Sequence, residues 1–155
     1  MDVFLKRVVV HNRDVLFRLL QYSLFEESAT DGNEINADGL YEYPWFELYF
    51  TEPDREAYFI KCVGTGELLG FVMVNTYMKG QCAGHAVAEF MVLPKFRRMG
   101  IGRLAAQLCF SLYSGYWEVS PSYGSDVAMA FWENVIGETD RSYQWNDGAF
   151  LLFLT

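Results

Sequence analysis

Glu89-Phe-Met-Val-Leu-Pro-Lys-Phe-Arg-Arg-Met-Gly-Ile-Gly-Arg103 is the stretch that decides how this chain folds. Its apolar first half predicts a strand ending at Pro94, and its second half a basic loop running into a helix that starts at or near Gly100. A helix start leaves several backbone N–H groups without intrahelical acceptors and carries a partial positive charge. Gly100 and Gly102 lack a Cβ, so a ligand can come close to that backbone. Lys95, Arg97, Arg98 and Arg103 supply four of the 12 basic residues of a chain whose net charge is -8. Local positive charge at a strand-to-helix junction of an acidic protein suits a phosphate or pyrophosphate. A tight turn with solvated arginines is the plainer alternative.

Working outward, residues 101–114 continue as an amphipathic helix with Ile101, Leu104, Ala105, Leu108 and Leu112 on one face. Upstream, 57–63 and 68–78 read as strands joined by a Gly64-Thr-Gly66 hairpin turn, and 79–84 as a second turn. The run from His85 to Leu93 then forms the third, antiparallel member of a meander. Nearer the N-terminus, 4–10 reads as a β-branched strand. Asn12 is a candidate N-cap, and Val15, Leu16, Leu19, Leu20 and Leu24 recur at helical spacing. The polar segment 26–39 reads as a loop. Tyr41, Tyr43, Trp45, Phe46, Tyr49 and Phe50, interleaved with Glu42 and Glu47, predict a short helix whose rings pack on the sheet. The sharper reading makes them one wall of a pocket whose carboxylates attract an amine.

Downstream, 116–119 reads as a strand, and Ser125 or Asp126 caps a helix running to about residue 136, with Gly137 at its end. Ala128, Phe131, Trp132 and Val135 share a face of that helix. Residues 142–144 and 149–154 close the chain as strands around Asn146-Asp-Gly148. The order βα(α)βββαβαββ is α/β in content, with a mixed sheet rather than strict alternation.

Composition bounds the rest. At 155 residues and 52% hydrophobic, the chain supplies one domain with a substantial core. A sequence pI near 4.7 argues against nonspecific nucleic-acid binding. Cys62, Cys82 and Cys109 show no C-x-x-C spacing, and with His11 and His85 as the two histidines no zinc site is expected. Reduced thiols point to the cytoplasm. Charged residues near the start leave no signal peptide, and no uncharged run is long enough to span a bilayer.

Arg97-Arg-Met-Gly100-Ile-Gly102 resembles the R/Q-x-x-G-x-G/A signature of the GNAT N-acetyltransferases, and Ser125-x-x-Ala128-x-x-Phe131-Trp132 is similar to the family's N-x-x-A-x-x-F-Y helix. Glu89-Phe-Met-Val-Leu, Trp117-Glu-Val and Phe131-Trp together resemble a poorly characterised bacterial branch of predicted acetyltransferases. The resemblance covers nearly the whole chain. It implies an α+β arrangement in which about seven strands, flanked by about four helices, splay apart at the fourth and fifth. It also implies acetyl-CoA as co-substrate, bound through its pyrophosphate by backbone N–H groups from Arg98 to Gly102, within the Arg97–Arg103 loop that includes Met99 and Ile101. Met91 and Val92 would pair with pantetheine and offer an oxyanion donor. Lys95, Arg98 and Arg103 are candidates for the adenosine 3′-phosphate, while Ser125, Phe131 and Trp132 would line the pantetheine and thiol.

Two departures matter. Ser125 replaces the helix-start Asn, with shorter reach. Trp132 replaces the Tyr that some members use as general acid, and an indole gives up no proton near neutral pH. Tyr123 is then the alternative acid, beside unassisted departure of a thiolate whose conjugate acid has a pKa of about 8.5. An amine nucleophile has a pKa of about 10.4 and needs a base. Glu89, a carboxylate in an otherwise apolar strand, is the candidate, its plain alternative being an outward-facing charge; His85 sits at the far end of that strand. The expected activity is acetyl transfer to a primary amine of a small molecule, peptide or protein within a ternary complex. The rival is a catalytically silent acyl-CoA-sensing or partner-binding module. Neither nucleic acid nor membrane is an expected partner, and a homodimer is compatible with the sequence.

Overall fold

The computed structural model describes residues 1–80 and 83–155. Seven strands, β1 (Val3–Arg7), β2 (Arg55–Cys62), β3 (Leu68–Asn75), β4 (Gly84–Val92), β5 (Gly115–Val119), β6 (Gln144–Asn146) and β7 (Ala149–Leu154), alternate with three α-helices, α1 (Arg13–Asp31), α2 (Ile101–Phe110) and α3 (Asp126–Thr139). Short 3-10 helices occupy Val10–Asn12, Phe46–Phe50 and Pro94–Phe96. The strands join one sheet in the order β1-β2-β3-β4-β5-β7-β6. Every neighbouring pair is antiparallel except β4 and β5, which run parallel. This is the mixed sheet that the sequence predicts.

Two apolar layers cover the sheet. Ile60, Val72, Val92, Ile101, Phe110, Trp117, Trp132 and Phe150 belong to the cluster that packs α2 and α3 on one face. Leu16, Leu20, Phe46, Tyr49, Phe59, Phe71 and Met91 form the other, beneath α1 and the Phe46–Phe50 turn. β2 and β3 lie between these layers and are buried at nearly every position, so they read as continuous apolar runs rather than alternating ones. At ~25 cal/mol per Å² of apolar surface, each fully buried Leu or Phe there contributes about 1.5–3 kcal/mol.

Several boundaries differ from the sequence reading. The short helix predicted for the aromatic segment is a five-residue 3-10 helix, Phe46–Phe50, which stands beside the three α-helices. Phe46 and Tyr49 pack inward as anticipated, but Glu47 is engaged by Arg13. Asn12 occupies the N-cap position of α1 without a side-chain cap bond. α1 continues through the acidic residues 26–31, which look like loop in isolation, and stops at Gly32. There φ is 78° and the amide donates to the Ser28 carbonyl at 3.2 Å, a left-handed C-cap that glycine adopts without strain. α3 runs past Gly137 to Thr139, whose hydroxyl donates to the Val135 carbonyl at 2.8 Å. On α2, Ala106, Cys109 and Phe110 are buried while Leu108 is exposed. The second predicted turn, 79–84, lies partly outside the described residues, as does Cys82.

Candidate active site

The register of β4 makes the site. Its pairing with β5 runs only from Gly84↔Tyr116 to Val87↔Val119. One residue later β4 carries a β-bulge: Val87 pairs with Val74 and Glu89 with Met73, leaving Ala88 unpaired. A bulge bends its strand and increases the twist, and beyond it β4 and β5 part. The bulge also places Ala88 and Glu89 on the same face, with Ala88 packed against the α1 layer. On the opposite face Phe90 stacks against Phe131 and Trp132 of α3, with ring centroids 5.7 and 4.9 Å away.

Past Ala88, β4 keeps its bonds to β3 and has an open edge toward the gap. The Leu93 amide donates to the Leu69 carbonyl at 2.8 Å. In an antiparallel ladder bonded and non-bonded pairs alternate, so Met91 bonds to Phe71, whereas Phe90 and Val92 point their backbone groups into the gap. A Cβ on Gly70 would collide with the Met91 carbonyl, which confirms that this carbonyl faces β3. The pairing edge therefore belongs to Phe90 and Val92 instead of Met91 and Val92. The expectation from sequence is out of step by one residue because strand phase depends on the partner.

At the end of β4, Pro94–Phe96 turns the chain and the basic loop follows. Arg98 sits at φ 62° and Gly100 at φ 79°, both left-handed. For Arg98 that conformation costs on the order of 1 kcal/mol. The first backbone bond of α2 runs from the Leu104 amide to the Gly100 carbonyl, so the N–H groups of Ile101, Gly102 and Arg103 have no intrahelical acceptor. Gly102 is needed for space: a Cβ there would lie 3.0 Å from the Phe131 ring. Ser125 caps α3, its hydroxyl accepting from the Ala128 amide at 3.1 Å.

These elements enclose a cleft of about 810 Å³. Its lining includes Glu89 to Val92, Arg97, Arg98, Gly100, Gly102, Arg103, Ser125, Phe131 and Trp132 from the sequence reading, and Ser23, Glu26, Glu27 and Thr30 of α1. Ile101 is buried in the core, with 1% exposure, and Met99 points to solvent; both can offer backbone only. Lys95 leans over the Phe96 ring, 5.2 Å from its centroid, and does not line the cleft. Arg103 is paired with Glu138 at 2.7 Å. Tyr123 is 81% exposed and also lies outside the lining. Its loop turns the ring to solvent, which removes the candidate acid from the cleft.

Glu89 faces the cleft and not bulk water. The Tyr43 hydroxyl donates to its Oε2 at 3.3 Å. Burial, then the neighbouring Glu27 charge, push the Glu89 carboxyl up to about 8 despite that bond. Burial and Asp31 push Glu27 up to about 7. The two carboxyls line one cleft, and a charge on Glu27 disfavours ionisation of Glu89. The sequence reading misses Glu27, which lies in a polar segment that reads as loop; it offers Tyr43 as part of a pocket wall but not as the partner of Glu89, 46 residues away. His85 instead stacks on Tyr113, with ring centroids 3.9 Å apart, at the far end of β4.

Among the described residues no three His, Cys, Asp or Glu gather at metal-binding distance, and no helix is long and apolar enough to cross a membrane. Residues 21–135 match the model of the acetyltransferase (GNAT) family. Solved structures of acetyltransferases share the fold. One from Staphylococcus aureus Mu50, described as of the GNAT family, is 12% identical, with 99% of this chain and 100% of that one covered and a TM-score of 0.65. One from Thermus thermophilus is 16% identical, with 99% and 98% covered and a TM-score of 0.66. A Corynebacterium glutamicum protein, described as histone acetyltransferase HPA2 and related acetyltransferase, is 10% identical over 100% and 98%, with a TM-score of 0.69. No curated protein matches in sequence. The mixed seven-stranded sheet with its parallel β4–β5 pair is thus a fold shared with solved acetyltransferases. The chain belongs to the GNAT acetyltransferase family.

Proposed function

We propose that this protein is an acetyl-CoA-dependent N-acetyltransferase acting on a primary amine by direct attack in a ternary complex. The observation that carries the reading is the open edge of β4. Phe90 presents both of its backbone groups and Val92 its N–H between the Arg98–Gly102 turn and the Glu89 carboxyl, while the Val92 carbonyl accepts from Arg97. The cradle fits the co-substrate: the N–H groups of Ile101, Gly102 and Arg103 have no intrahelical acceptor, and the cleft volume lies within the range of small-molecule sites. Bound acetyl-CoA supplies an activated acetyl group and a thiolate leaving group.

The chain's own residues supply the rest. Backbone N–H groups from Arg98 to Gly102, at a helix start, hold the pyrophosphate. The Phe90 and Val92 edge aligns pantetheine as an added strand, and one of its N–H groups polarises the thioester carbonyl. Glu89 takes a proton from the amine, directly or through water, while Tyr43 holds its carboxyl in place. Trp132 and the outward-turned Tyr123 leave the departing thiolate without a tyrosine acid, which its pKa of about 8.5 tolerates. That same lack favours the second reading, a silent acyl-CoA-sensing module. We place the protein in the cytoplasm, with no nucleic acid or membrane partner.

Titration calorimetry with coenzyme A and acetyl-CoA, followed by an amine panel read by free-thiol release, tests both readings. Heat with turnover supports the enzyme, heat without turnover the silent module, and no heat from either ligand overturns both.

A further inference from the structure

The Arg97 guanidinium makes three side-chain bonds, which engage three of its five N–H donors and all three of its nitrogens. Its Nη1 and Nη2 donate to Oε2 and Oε1 of Glu26 at 2.9 and 2.8 Å, a two-pronged fork across 71 residues of sequence. Its Nε donates to the Val92 carbonyl at 2.8 Å. That carbonyl is one of the backbone groups on the open edge of β4, so the side chain occupies an acceptor that pantetheine would otherwise meet. Glu26 stands on α1 next to Glu27, which lines the cleft with Glu89 and whose charge acts on it. Charged, two-pronged bonds fix geometry better than single ones, and this one joins the phosphate turn to the helix that carries the second carboxylate.

We infer that Arg97, although first in the phosphate-loop motif, is a positioning residue rather than a phosphate ligand: it clasps the turn to α1 through Glu26. The clasp holds residue 97 extended, at φ -73° and ψ 157°, just before the left-handed Arg98, and so sets the direction of the N–H groups that follow. Occupancy of the turn and the placement of Glu27 are thereby linked. This rests on the acetyl-CoA reading for its ligand, but the clasp itself can be examined without one.

Coenzyme A affinity is measured by calorimetry for the full-length wild type, Glu26→Gln, Arg97→Met, Arg97→Lys and the Glu26→Gln/Arg97→Met pair. If Glu26 acts through Arg97, each single change weakens coenzyme A by about three- to tenfold. The pair then weakens it no further than Arg97→Met alone, since neighbours in one network are not additive. Lysine has one compact charge and cannot span Glu26 and Val92 together, so Arg97→Lys behaves like Arg97→Met. Near wild-type affinity for Glu26→Gln and Arg97→Lys, with more than tenfold loss for Arg97→Met, makes Arg97 a direct phosphate contact and overturns the inference. Should the wild type bind no coenzyme A, the functional reading fails, and amide exchange of the ligand-free proteins decides the clasp. Faster exchange in both 22–31 and 93–100 for Glu26→Gln supports it; rates equal to wild type overturn it.

Discussion

At the scale of single residues, the proposed role of Glu89 as base has the clearest test. A base must be deprotonated, so turnover is expected to rise with pH and level off above about 8, where the Glu89 carboxyl ionises. Glu89→Gln removes that rise and lowers kcat by roughly 10²–10⁴, with coenzyme A affinity within a factor of about three of wild type. A flat loss of coenzyme A affinity instead would make Glu89 a binding residue. The same shift has a stability consequence of definite sign. Glu89 binds its proton more tightly folded than unfolded, so its contribution to stability falls as pH rises from about 4.5 toward 8. Glu89→Gln should therefore melt higher than wild type at pH 8.5, by roughly 2–4 °C per kcal/mol of relieved strain, and the gain should vanish near pH 4. Cys109 is fully buried and its thiol is pushed well above the usual range, first by burial. It should not react with Ellman's reagent in the folded protein.

Among the elements, the two glycines of the turn separate backbone need from space. Gly100 is left-handed with nothing near its missing Cβ, so Gly100→Ala costs about 1 kcal/mol of stability from strain. Gly102→Ala pushes on Phe131, which lines the cleft, and should weaken coenzyme A several-fold while changing the melting temperature little. Equal effects of both on affinity would argue against this division. Ser125→Ala loses a cap worth about 1 kcal/mol. These features are legible in the sequence because they are local: the turn and the Ser125 cap are each written within a few consecutive residues. The end of α1 is not. Residues 26–31 include three acidic side chains and lack apolar period, and the partner of Glu26, Arg97, stands 71 residues away in sequence. The one-residue error at Met91 has a similar origin, because which backbone groups of β4 are free depends on β3, and the bulge at Ala88 has no signature in an alanine.

Across the whole molecule, an acidic protein of net charge -8 concentrates positive charge at one loop. The fold-level topology follows from the order of apolar and turn segments, while bringing Glu27 and Glu89 to one cleft, with Tyr43 bonded to Glu89, requires distant parts of the chain to meet. If the cleft binds coenzyme A in the folded state alone, a concentration one hundred times the dissociation constant should stabilise by about 2.7 kcal/mol. A thermal-shift titration that shows no rise at such concentrations contradicts this.

The unpaired Ala88 bears on how such a cleft could be lost. With that codon deleted, Val87 and Glu89 become ordinary consecutive rungs against Val74 and Met73. A straighter β4 could then zip onto β5 past Val119, burying the amides at Phe90 and Val92 in new rungs. The expected product is a well-folded protein, sealed along its former slot and blind to the thioester proposed for it. Inactivation of this kind needs neither a damaged core nor a missing carboxylate.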